Sequence, residues 1–295
     1  MKSGFVAVIG RANAGKSTLV NVLVGEKVSI VSPKPQTTRD RIIGILNEAD
    51  CQIAFIDTPG LYKADNLLSS VMQKTADDTI RDVDAVLFVM DAHNGVSDKD
   101  RQILRRVKKC DLPVILALTK TDIMPESLLI SEIKELSDEG VEIVPVSARR
   151  GKNLKELVKV IKGVLPDGDK LFGDDVISDR SERFMVSEIM REKILVKFDK
   201  EIPHGVAIII NEFKLRQDGK VYDINLDIVC EKSNHKAILL GRGGGAIKEV
   251  SSLARKDMEK FLGKKVFLTT YVKVKEDWRN SAYLIKEHGY GEENI

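Results

Sequence analysis

Short apolar runs alternate with amphipathic stretches over residues 5–165. Five runs are rich in valine and isoleucine and are bounded by turn residues, which predicts buried strands: FVAVIG (5–10), CQIAFID (51–57), AVLFVMDA (85–92), PVILALTK (113–120) and EIVPVSA (142–148). Helical spacing of apolar residues between them predicts helices at 16–24, 67–80, 98–109, 128–138 and 153–164. This alternation is typical of a mostly parallel sheet covered by helices on both faces. We therefore predict an α/β domain over residues 1–166.

The pattern changes after residue 166. Residues 167–182 (DGDKLFGDDVISDRSE) are acidic and show no apolar period, which predicts an interdomain linker. The following pattern predicts, in order, a helix near 183–197, strands within 204–216 and 220–232, a glycine loop, a helix at 246–262 and a strand at 265–275. This α–β–β–α–β order predicts a second, α+β domain over residues 183–290.

Composition supports two globular domains. The chain has 295 residues, 43% hydrophobic and 31% charged, which is typical of soluble folded proteins. It contains no run of 18 apolar residues, so no membrane span is expected, and its N-terminus lacks the cleavage site of a signal peptide. Cys51, Cys110 and Cys230 are scattered singly, which argues against a disulfide framework and indicates a reducing cytoplasm.

A phosphate-binding motif lies near the N-terminus. GRANAGKS (10–17) matches G-x-x-x-x-G-K-[ST], follows a predicted strand and opens a predicted helix. In such a loop backbone N–H groups converge on phosphate oxygens, and the helix dipole adds to their attraction. Lys16 would contact the β- and γ-phosphates, and the Ser17 hydroxyl would ligate Mg²⁺. The predicted nucleotide-binding residues of this loop are Gly10, Arg11, Ala12, Asn13, Ala14, Gly15, Lys16, Ser17 and Thr18.

Three further segments sit at the ends of predicted strands. In DTPG (57–60), Asp57 can hold Mg²⁺ through water and the Gly60 N–H can sense a γ-phosphate. In TKTD (119–122), the Asp122 carboxylate can accept two hydrogen bonds from guanine, whereas adenine would leave it unpaired. The stem of Lys120 can lie on the purine face, and the Ala148 N–H can reach guanine O6. These segments add Asp57, Thr58, Pro59, Gly60, Thr119, Lys120, Asp122, Ser147 and Ala148 to the predicted nucleotide site.

With these motifs in this order, residues 5–165 resemble the translation-factor-related GTPases. The resemblance implies hydrolysis of GTP to GDP and phosphate with Mg²⁺ as cofactor. It also implies that PQTTRDR (35–41) is the first switch and that Thr38, or alternatively Thr37, ligates Mg²⁺ beside Ser17. The residues implied to act on the transferred phosphate are Lys16, Thr38, Asp57 and Gly60.

Three positions affect the expected rate of GTP hydrolysis or the expected affinity for the guanine nucleotide. Leu61 stands where many of these GTPases have a glutamine, and an apolar side chain cannot orient the attacking water, so slow intrinsic hydrolysis is expected. Resemblance to the sub-group with GRxNxGKS implies that Asn13 helps to hold K⁺ beside the phosphates; the alternative is that Asn13 only closes the turn. Thr119 replaces the commoner asparagine, and because it is shorter we expect its bond to the first loop to be lost.

A second glycine cluster, GRGGGA, occupies residues 241–246. It fits G-x-G-x-x-A, but the βαβ unit of a dinucleotide site is missing, and a second phosphate loop would need G-K-[ST]. As G-x-x-G followed by Ile247 and Lys248, it resembles a type II KH RNA-binding domain, whose loop clamps about four nucleotides. From Lys232 to Lys275, eleven Lys/Arg stand against three Asp/Glu, an excess of eight positive charges.

The sequence pattern predicts that the helix after this loop has an apolar face and a basic face. Helical spacing places an apolar set towards the core, namely Ile247, Val250, Ala254, Met258 and Phe261. Basic residues such as Arg255 lie off that face, where they can meet phosphates. The implied RNA-binding residues are Gly241, Arg242, Gly243, Gly244, Ile247, Lys248 and Arg255.

The pairing of the two domains resembles the bacterial ribosome-assembly GTPases. Further matching stretches are REK (191–193), EIPHGVA (201–207), ARKDME (254–259) and YVKVKEDWR (271–279). The resemblance implies a monomer that binds the 3′ end of small-subunit (16S) ribosomal RNA, assists maturation of the 30S subunit, and reaches its RNA-competent state with GTP. It also implies loose peripheral association with the inner membrane, for which the sequence itself shows no amphipathic anchor.

Three other functions are weighed against this one. A tRNA-modification GTPase shares Asn13 and the TTRD pattern, but it would need a large N-terminal domain, and the first predicted strand starts at residue 5. A passive RNA chaperone with an inactive nucleotide site would not need intact Lys16, Ser17 and Asp57. An ATPase is disfavoured by Asp122, because adenine leaves that carboxylate unpaired.

Overall fold

The structure is a computed structural model that describes residues 1–60 and 64–291. The described chain divides into two compact units. Residues 1–31, 38–60 and 72–179 form the first unit, and residues 32–37, 64–71 and 180–291 form the second. An α/β unit is therefore followed along the chain by an α+β unit, as predicted.

The first unit contains a mostly parallel sheet. Its described strands follow the order β2-β3-β1-β4-β5-β6, and only the edge strand β2 runs antiparallel to its neighbour. Because the parallel strands end at the same edge, the loops that follow them meet there. The strands are β1 (Lys2–Ile9), β2 (Ile42–Asn47), β3 (Cys51–Asp57), β4 (Ala85–Asp91), β5 (Val114–Thr119) and β6 (Glu142–Pro145).

Helices cover both faces of this sheet. Val6 and Val8 of β1 pack with α1 and α5, whereas Ala7 and Ile9 pack on the opposite face with α3 and α4. All four β1 residues are fully buried, which explains why the strand reads as a continuous apolar run. The helices are α1 (Lys16–Val24), α2 (Leu67–Thr79), α3 (Asp98–Lys108), α4 (Glu126–Ser137) and α5 (Leu154–Val164).

The segment predicted as a linker lies largely within the first unit. Its last part pairs with the outer edge of β2: the Ile45 N–H donates to the Ile177 carbonyl (2.9 Å) and the Ile43 N–H to Asp179 Oδ1 (2.9 Å). The buried side chain of Gln52 also accepts hydrogen bonds from the N–H groups of Leu171 (2.6 Å) and Phe172 (2.9 Å). We call residues 171–179 the edge strap. Pairing with unsatisfied edge groups orders this acidic stretch despite its lack of apolar period.

The second unit is a three-stranded sheet with helices on one face. Strand β8 lies centrally, antiparallel to β7 and parallel to β9. Met190 and Ile194 of α6 pack with Val250 and Met258 of α8 in its core. The elements are α6 (Glu182–Lys197), β7 (Ala207–Leu215), β8 (Val221–Cys230), α7 (Ser233–Leu240), α8 (Gly245–Leu262), β9 (Lys265–Val274) and α9 (Ala282–Glu287).

Three details of the second unit differ from the predictions made from the sequence. The helices α7 and α9 were not predicted, because both are short and contribute few buried side chains, namely His235 and Leu239 in α7 and Ile285 in α9. Phe261, predicted to face the core, is exposed, and Leu262 is buried instead. The buried positions Val250, Ala254, Met258 and Leu262 follow a spacing of four, so the core face continues through residue 262. Among the described residues, no helix has the length and apolar character that crossing a bilayer requires.

Candidate nucleotide site and candidate RNA loop

The first glycine loop joins β1 to α1 and encloses a lysine. Lys16 is 6% exposed, and its Nζ donates to the carbonyls of Gly10 (3.1 Å) and Arg11 (3.0 Å). Burial lowers the pKa of Lys16 to about 8, although the nearby Asp57 partly opposes this shift. The amine therefore lies at the N-terminus of α1. Phosphate oxygens can take the place of the two carbonyls as its hydrogen-bond acceptors.

Three oxygen-bearing side chains converge beside this lysine. The hydroxyl oxygens of Ser17 and Thr38 lie 2.9 Å apart, and Thr38 Oγ1 lies 3.3 Å from Asp57 Oδ2. The Thr37 hydroxyl instead donates to the Lys34 carbonyl (2.7 Å). Of the two threonines considered, the structure thus brings Thr38 to Ser17 and Asp57.

The buried carboxylate of Asp57 suits a divalent cation. Burial raises the pKa of Asp57, and the charge of Lys16 partly offsets the shift. Its Oδ1 is buried and has no hydrogen-bond partner within residues 1–60 and 64–291. Hydroxyl and carboxylate oxygens are the ligands that Mg²⁺ prefers, so this group of side chains fits that ion.

The DTPG segment comes close to the first loop. A Cβ added to Gly60 would lie 2.8 Å from the backbone nitrogen of Ala12 and 3.2 Å from Lys16 Nζ, so a larger residue would collide with the loop. The Thr58 hydroxyl donates to the Val8 carbonyl (2.8 Å) and anchors the segment, while Pro59 is buried. Leu61 lies outside the described residues.

Thr119 does contact the first loop. Its hydroxyl oxygen lies 2.6 Å from the Ala14 carbonyl oxygen and 2.9 Å from that of Met90. The expectation that this bond is lost is therefore wrong. The shorter side chain suffices because β5 brings Thr119 directly beside the loop, where a Cβ on Gly15 would lie 3.5 Å from Thr119 Oγ1.

The groups predicted to read the base lie at the ends of β5 and β6. Asp122 is exposed, and it accepts a hydrogen bond from Ser147 Oγ (2.6 Å), which lowers the pKa of Asp122. Lys120 has a left-handed backbone (φ 60°), and its Nζ pairs with Asp91 (2.6 Å). Ala148 follows Ser147 and is half-buried. A fully charged, accessible carboxylate is thus held in place by a hydroxyl, as base recognition requires.

Two other predicted loop residues have different surroundings. Arg11 Nη1 donates to Ser97 Oγ (2.8 Å) and to Asp100 Oδ2 (3.0 Å), so its guanidinium binds the N-terminal turn of α3. Asn13 is exposed and has a positive φ of 64°, a conformation that asparagine tolerates well. This geometry suits the turn-closing role and leaves its side chain accessible.

Two polar residues with structural roles near the nucleotide site, Asn21 and Ser29, were not predicted from the sequence. Asn21 Oδ1 accepts from the N–H groups of Val28 and Ser29 (2.9 Å each), and its Nδ2 donates to the Ser29 carbonyl (2.7 Å). Ser29 is fully buried, and its hydroxyl helps to lower the pKa of Asp57 against the larger effect of burial. The only signal was a polar residue within the apolar stretch LVNVLV of α1.

The second glycine loop joins α7 to α8 and is open. Gly241, Gly243 and Gly244 all have positive φ, and a Cβ on Gly241 would lie 2.6 Å from that of Ala246. At Gly243 and Gly244 an added Cβ would meet no described atom within 4 Å. The backbone of this loop is therefore accessible to a polymer that passes over it.

Basic side chains flank the open loop. Arg242, Lys248 and Arg255 are exposed, and Arg255 Nη1 lies 3.5 Å from Glu259. Ile247 is half-buried against the core of the second unit. The structure thus brings the predicted RNA residues to one loop and the first turns of the helix after it.

Comparison with known proteins yields matches over both units. The family model described as 50S ribosome-binding GTPase matches residues 5–120, and the KH domain model matches residues 201–279. GTPase Era of Clostridium kluyveri is 46% identical over 292 residues, which cover 98% of this chain and 99% of that protein. GTPase Era of Alkaliphilus metalliredigens is 44% identical over 291 residues, with coverage of 98% and 99%.

Two solved structures resemble the whole chain. A variant of Aquifex aeolicus Era bound to GDP and AlF4⁻ has a TM-score of 0.95 at 38% identity, covering 99% of this chain and all of the other. Era in complex with MgGDPNP and nucleotides 1506–1542 of 16S ribosomal RNA gives the same TM-score, identity and coverage. The predicted fold class, a P-loop GTPase domain followed by a type II KH domain, is confirmed.

Proposed function

Because the chain belongs to the Era family of GTPases, we propose that it is a GTP-hydrolysing switch that binds 16S ribosomal RNA near its 3′ end. In this role it assists maturation of the 30S ribosomal subunit. The supporting likeness is to Era proteins over nearly the full chain, including one in complex with a 16S ribosomal RNA segment. The single observation that carries the proposal is the convergence of Lys16, Ser17, Thr38 and Asp57 at one helix N-terminus.

The phosphate site would act by electrostatic stabilisation. The backbone N–H groups at the start of α1 and the Lys16 ammonium would neutralise charge on the β- and γ-phosphates. Ser17 and Thr38 would hold Mg²⁺ directly and Asp57 through water, and the bound ion supplies further neutralisation of phosphate charge. The Gly60 N–H lies where the DTPG segment approaches Lys16, which supports a role in sensing the γ-phosphate.

The guanine site would discriminate by hydrogen-bond pairing. The Asp122 carboxylate would accept from both guanine N1–H and the N2 amine, and the hydrogen bond from Ser147 Oγ to Asp122 Oδ1 (2.6 Å) supports its orientation. The Lys120 stem would cover the purine face, and the Ala148 N–H would donate to O6. A site built around paired acceptors rejects a base that lacks the matching donors, because the carboxylate is then left without partners.

The RNA loop would bind its ligand through backbone and charge. Gly241 to Gly244 would let the sugar–phosphate chain lie close, and Arg242, Lys248 and Arg255 would contact phosphates. Ile247 would support the bases from the core side. In the proposed cycle GTP orders the segments 32–41 and 57–80, and this favours the RNA-competent state.

Potassium would be a second cofactor of the phosphate site. Asn13 is accessible beside the loop, and a monovalent cation there would stabilise developing charge in the absence of a water-orienting glutamine. The expected result is faster GTP hydrolysis in K⁺ than in Na⁺ at equal ionic strength, with the difference lost in Asn13→Ala. Equal rates in the two salts would exclude this role.

The cellular setting is part of the same proposal. Cys51, Cys110 and Cys230 are all free thiols, which supports a reducing cytoplasm. We include a monomeric state and a loose peripheral contact with the cytoplasmic side of the inner membrane. Sedimentation with and without liposomes tests both, since a monomer that stays in the supernatant would exclude the membrane contact.

The decisive experiment is single-turnover hydrolysis of GTP and of ATP by the full chain, with and without an RNA of the 16S 3′ end. We expect the protein to hydrolyse GTP and not ATP. We also expect it to bind the RNA more tightly with a GTP analogue than with GDP. The matched variant Asp122→Asn should bind GTP about 100-fold more weakly. It should gain affinity for xanthosine triphosphate, because O2 of xanthine can accept a hydrogen bond from the asparagine amide.

Each alternative predicts a different outcome of that experiment. Equal use of ATP would overturn the guanine site, and RNA binding without any hydrolysis would indicate a passive chaperone. RNA affinity that is identical with GTP analogue, with GDP and without nucleotide would overturn the switch. Hydrolysis without retention of the 16S RNA would overturn the ribosomal role.

A further inference from the structure

One buried charged residue has no role in the sites described so far. Arg191 begins the REK stretch in the middle of α6 and is 0% exposed. Its Nε donates to Glu188 Oε1 (2.7 Å), and its Nη2 also bonds to Glu188. The same guanidinium binds two consecutive carbonyls of the segment 32–37: Nη1 donates to Gln36 (3.5 Å) and Nη2 to Thr37. All these residues belong to the second unit.

Stability alone does not explain a buried arginine at this position. A buried ion pair can often be replaced by apolar residues of similar volume without loss of stability, because desolvation offsets the attraction. What an apolar residue cannot do is donate to backbone carbonyls. The planar guanidinium has several donors at fixed angles, so it can bind Glu188 and both carbonyls together.

The segment 32–37 is also held at its other end. Lys34 Nζ pairs with Asp199 (2.8 Å) and donates to the Phe198 carbonyl at the end of α6. Gln36 has a left-handed φ of 59°, which costs energy for a residue with a side chain and persists only where its surroundings stabilise it. The contacts from α6 supply that stabilisation.

The position of Arg191 has a direct consequence for Thr38. The Thr37 carbonyl belongs to the same planar peptide unit as the Thr38 N–H, so a partner that binds this carbonyl fixes the plane from which Thr38 departs. Thr38 is the threonine whose hydroxyl lies beside Ser17 (2.9 Å) and Asp57 (3.3 Å). Losing the bond to Arg191 frees the peptide to rotate and the hydroxyl to leave.

We propose that Arg191 is a positioning residue for the magnesium–triphosphate site. It holds the peptide between Thr37 and Thr38, so that occupation of that site is coupled to helix α6 of the RNA domain. This inference rests on the proposed GTPase function. The coupling is reciprocal, since whatever stabilises the Arg191 contact favours the triphosphate and the triphosphate favours the contact.

The test compares Arg191→Met with Lys193→Met in the full chain. Lys193 lies on the same helix, is partly buried, and pairs with Glu192 (2.9 Å) and Asp257, so it is a control for loss of an ion-paired cation from α6. With Mg²⁺ present, Arg191→Met should bind a non-hydrolysable GTP analogue about tenfold more weakly, the loss of roughly one charge-assisted hydrogen bond. Its affinity for GDP should stay within about twofold, because the first switch responds to the γ-phosphate.

A second measurement needs no nucleotide. Amide hydrogen exchange at residues 36–38 of the nucleotide-free protein should be faster in Arg191→Met than in the wild type and in Lys193→Met. Arg191→Lys, which keeps the charge beside Glu188 but has no planar fork, should show an intermediate loss in both measurements. This conservative variant keeps the test informative if Arg191→Met does not fold.

The contrary outcomes are distinct. Wild-type affinity for the GTP analogue in Arg191→Met, or unchanged exchange at 36–38, would overturn the inference. So would equal weakening of GDP and GTP analogue, or the same loss in Lys193→Met, because either result indicates a general loss of folding. A wild-type protein that fails to prefer GTP over ATP would instead contradict the proposed function.

Discussion

The two glycine loops differ in how much protein surrounds them. The loop at residues 10–17 is closed in by a buried lysine, by the Thr119 hydroxyl at the Ala14 carbonyl and by Gly60 against Ala12. The loop at residues 241–244 has two glycines with no described atom within 4 Å of an added Cβ, and its Arg242 is exposed. Of the two glycine loops, one is thus enclosed and the other open.

The difference indicates the kind of ligand each loop suits. An enclosed loop fits a compact ligand of fixed shape, because every group around it can be placed against a particular atom. An open loop fits a polymer that enters and leaves on either side, and it relies on charge and close backbone approach. Glycine content alone does not separate these cases, but the neighbours of the glycines do.

The largest expected effect comes from removing the cationic side chain of the enclosed loop, which should affect GTP hydrolysis and leave RNA binding unchanged. Lys16→Ala should lower the single-turnover rate of GTP hydrolysis by about 10²–10³-fold, because it removes a preorganised positive charge from the phosphates. The affinity of the nucleotide-free variant for the 16S RNA fragment should stay within twofold of wild type. Hydrolysis above one-tenth of the wild-type rate would contradict the role of the enclosed loop.

The matching change in the open loop is the double substitution Arg242→Asp and Gly243→Asp. Two negative charges beside the RNA backbone should weaken retention of the RNA fragment by about 10–100-fold at 0.1 M salt, with GTP affinity unchanged. The control is Gly219→Asp with Lys220→Asp in the β7–β8 turn, where Gly219 also has positive φ (68°) and open space around it. If the first double variant retained the RNA as well as the wild type does, the proposed RNA-binding role of the loop at residues 241–244 would be contradicted.

A smaller effect concerns the tie between Thr119 and the first loop. Thr119→Val keeps the shape but removes the hydroxyl, so GDP affinity should fall about five- to tenfold, the effect of roughly one neutral hydrogen bond. Thr79→Val is the control, because the Thr79 hydroxyl donates to the Thr75 carbonyl (2.7 Å) on α2. Titration with labelled GDP measures both, and equal affinities would show that the loop holds its shape without this tie.

The smallest expected effect is the uptake of protons when GDP binds. The pKa of Lys16 is lowered to about 8 in the free protein, and phosphate would raise it again, so at pH 8.5 GDP binding should take up at most about one proton. The affinity should accordingly fall as pH rises above 8. Calorimetry in two buffers of different ionisation enthalpy measures the uptake, and Lys16→Met should abolish it.

The same measurement sharpens the contrast between the loops. The open loop does not contain Lys16, so RNA binding there should be accompanied by none of the proton uptake that this lysine causes. Between pH 8 and 10.5 the unfolded chain binds more protons at Lys16 than the native protein does, so this residue makes the unligated protein more stable as pH rises through that range. Nucleotide binding and unligated stability should therefore change in opposite directions with pH.

Local patterns predicted most of the fold and the nucleotide motifs. The strands β1 and β3–β6 could be read from short apolar runs, and burial on both faces makes β3 and β4 almost uniformly apolar. The strand β2 was not predicted, although IIGILN is also apolar, since no helix follows it and a short turn leads directly into β3. The helix α7 escaped because it has little more than two turns.

The contacts of Thr119 and Arg191, which the sequence did not predict, join residues that are distant in the chain. The bond of Thr119 to Ala14 spans 105 positions, and that of Arg191 to Thr37 spans 154. Neither residue type indicates its partner, and Thr119 suggested the opposite of what is found. Thr38 could be preferred over Thr37 from the motif, but only the geometry brings its hydroxyl to Ser17.

The edge strap has a consequence for how the first unit can be isolated. The Ile43 and Ile45 N–H groups of β2 are satisfied by Asp179 and Ile177, so a fragment that ends at Leu165 would present an apolar strand with bare hydrogen-bonding groups. Such strands template pairing between copies of a protein, and this leads to aggregation. A stable, monodisperse GTPase fragment should therefore extend at least to Asp179.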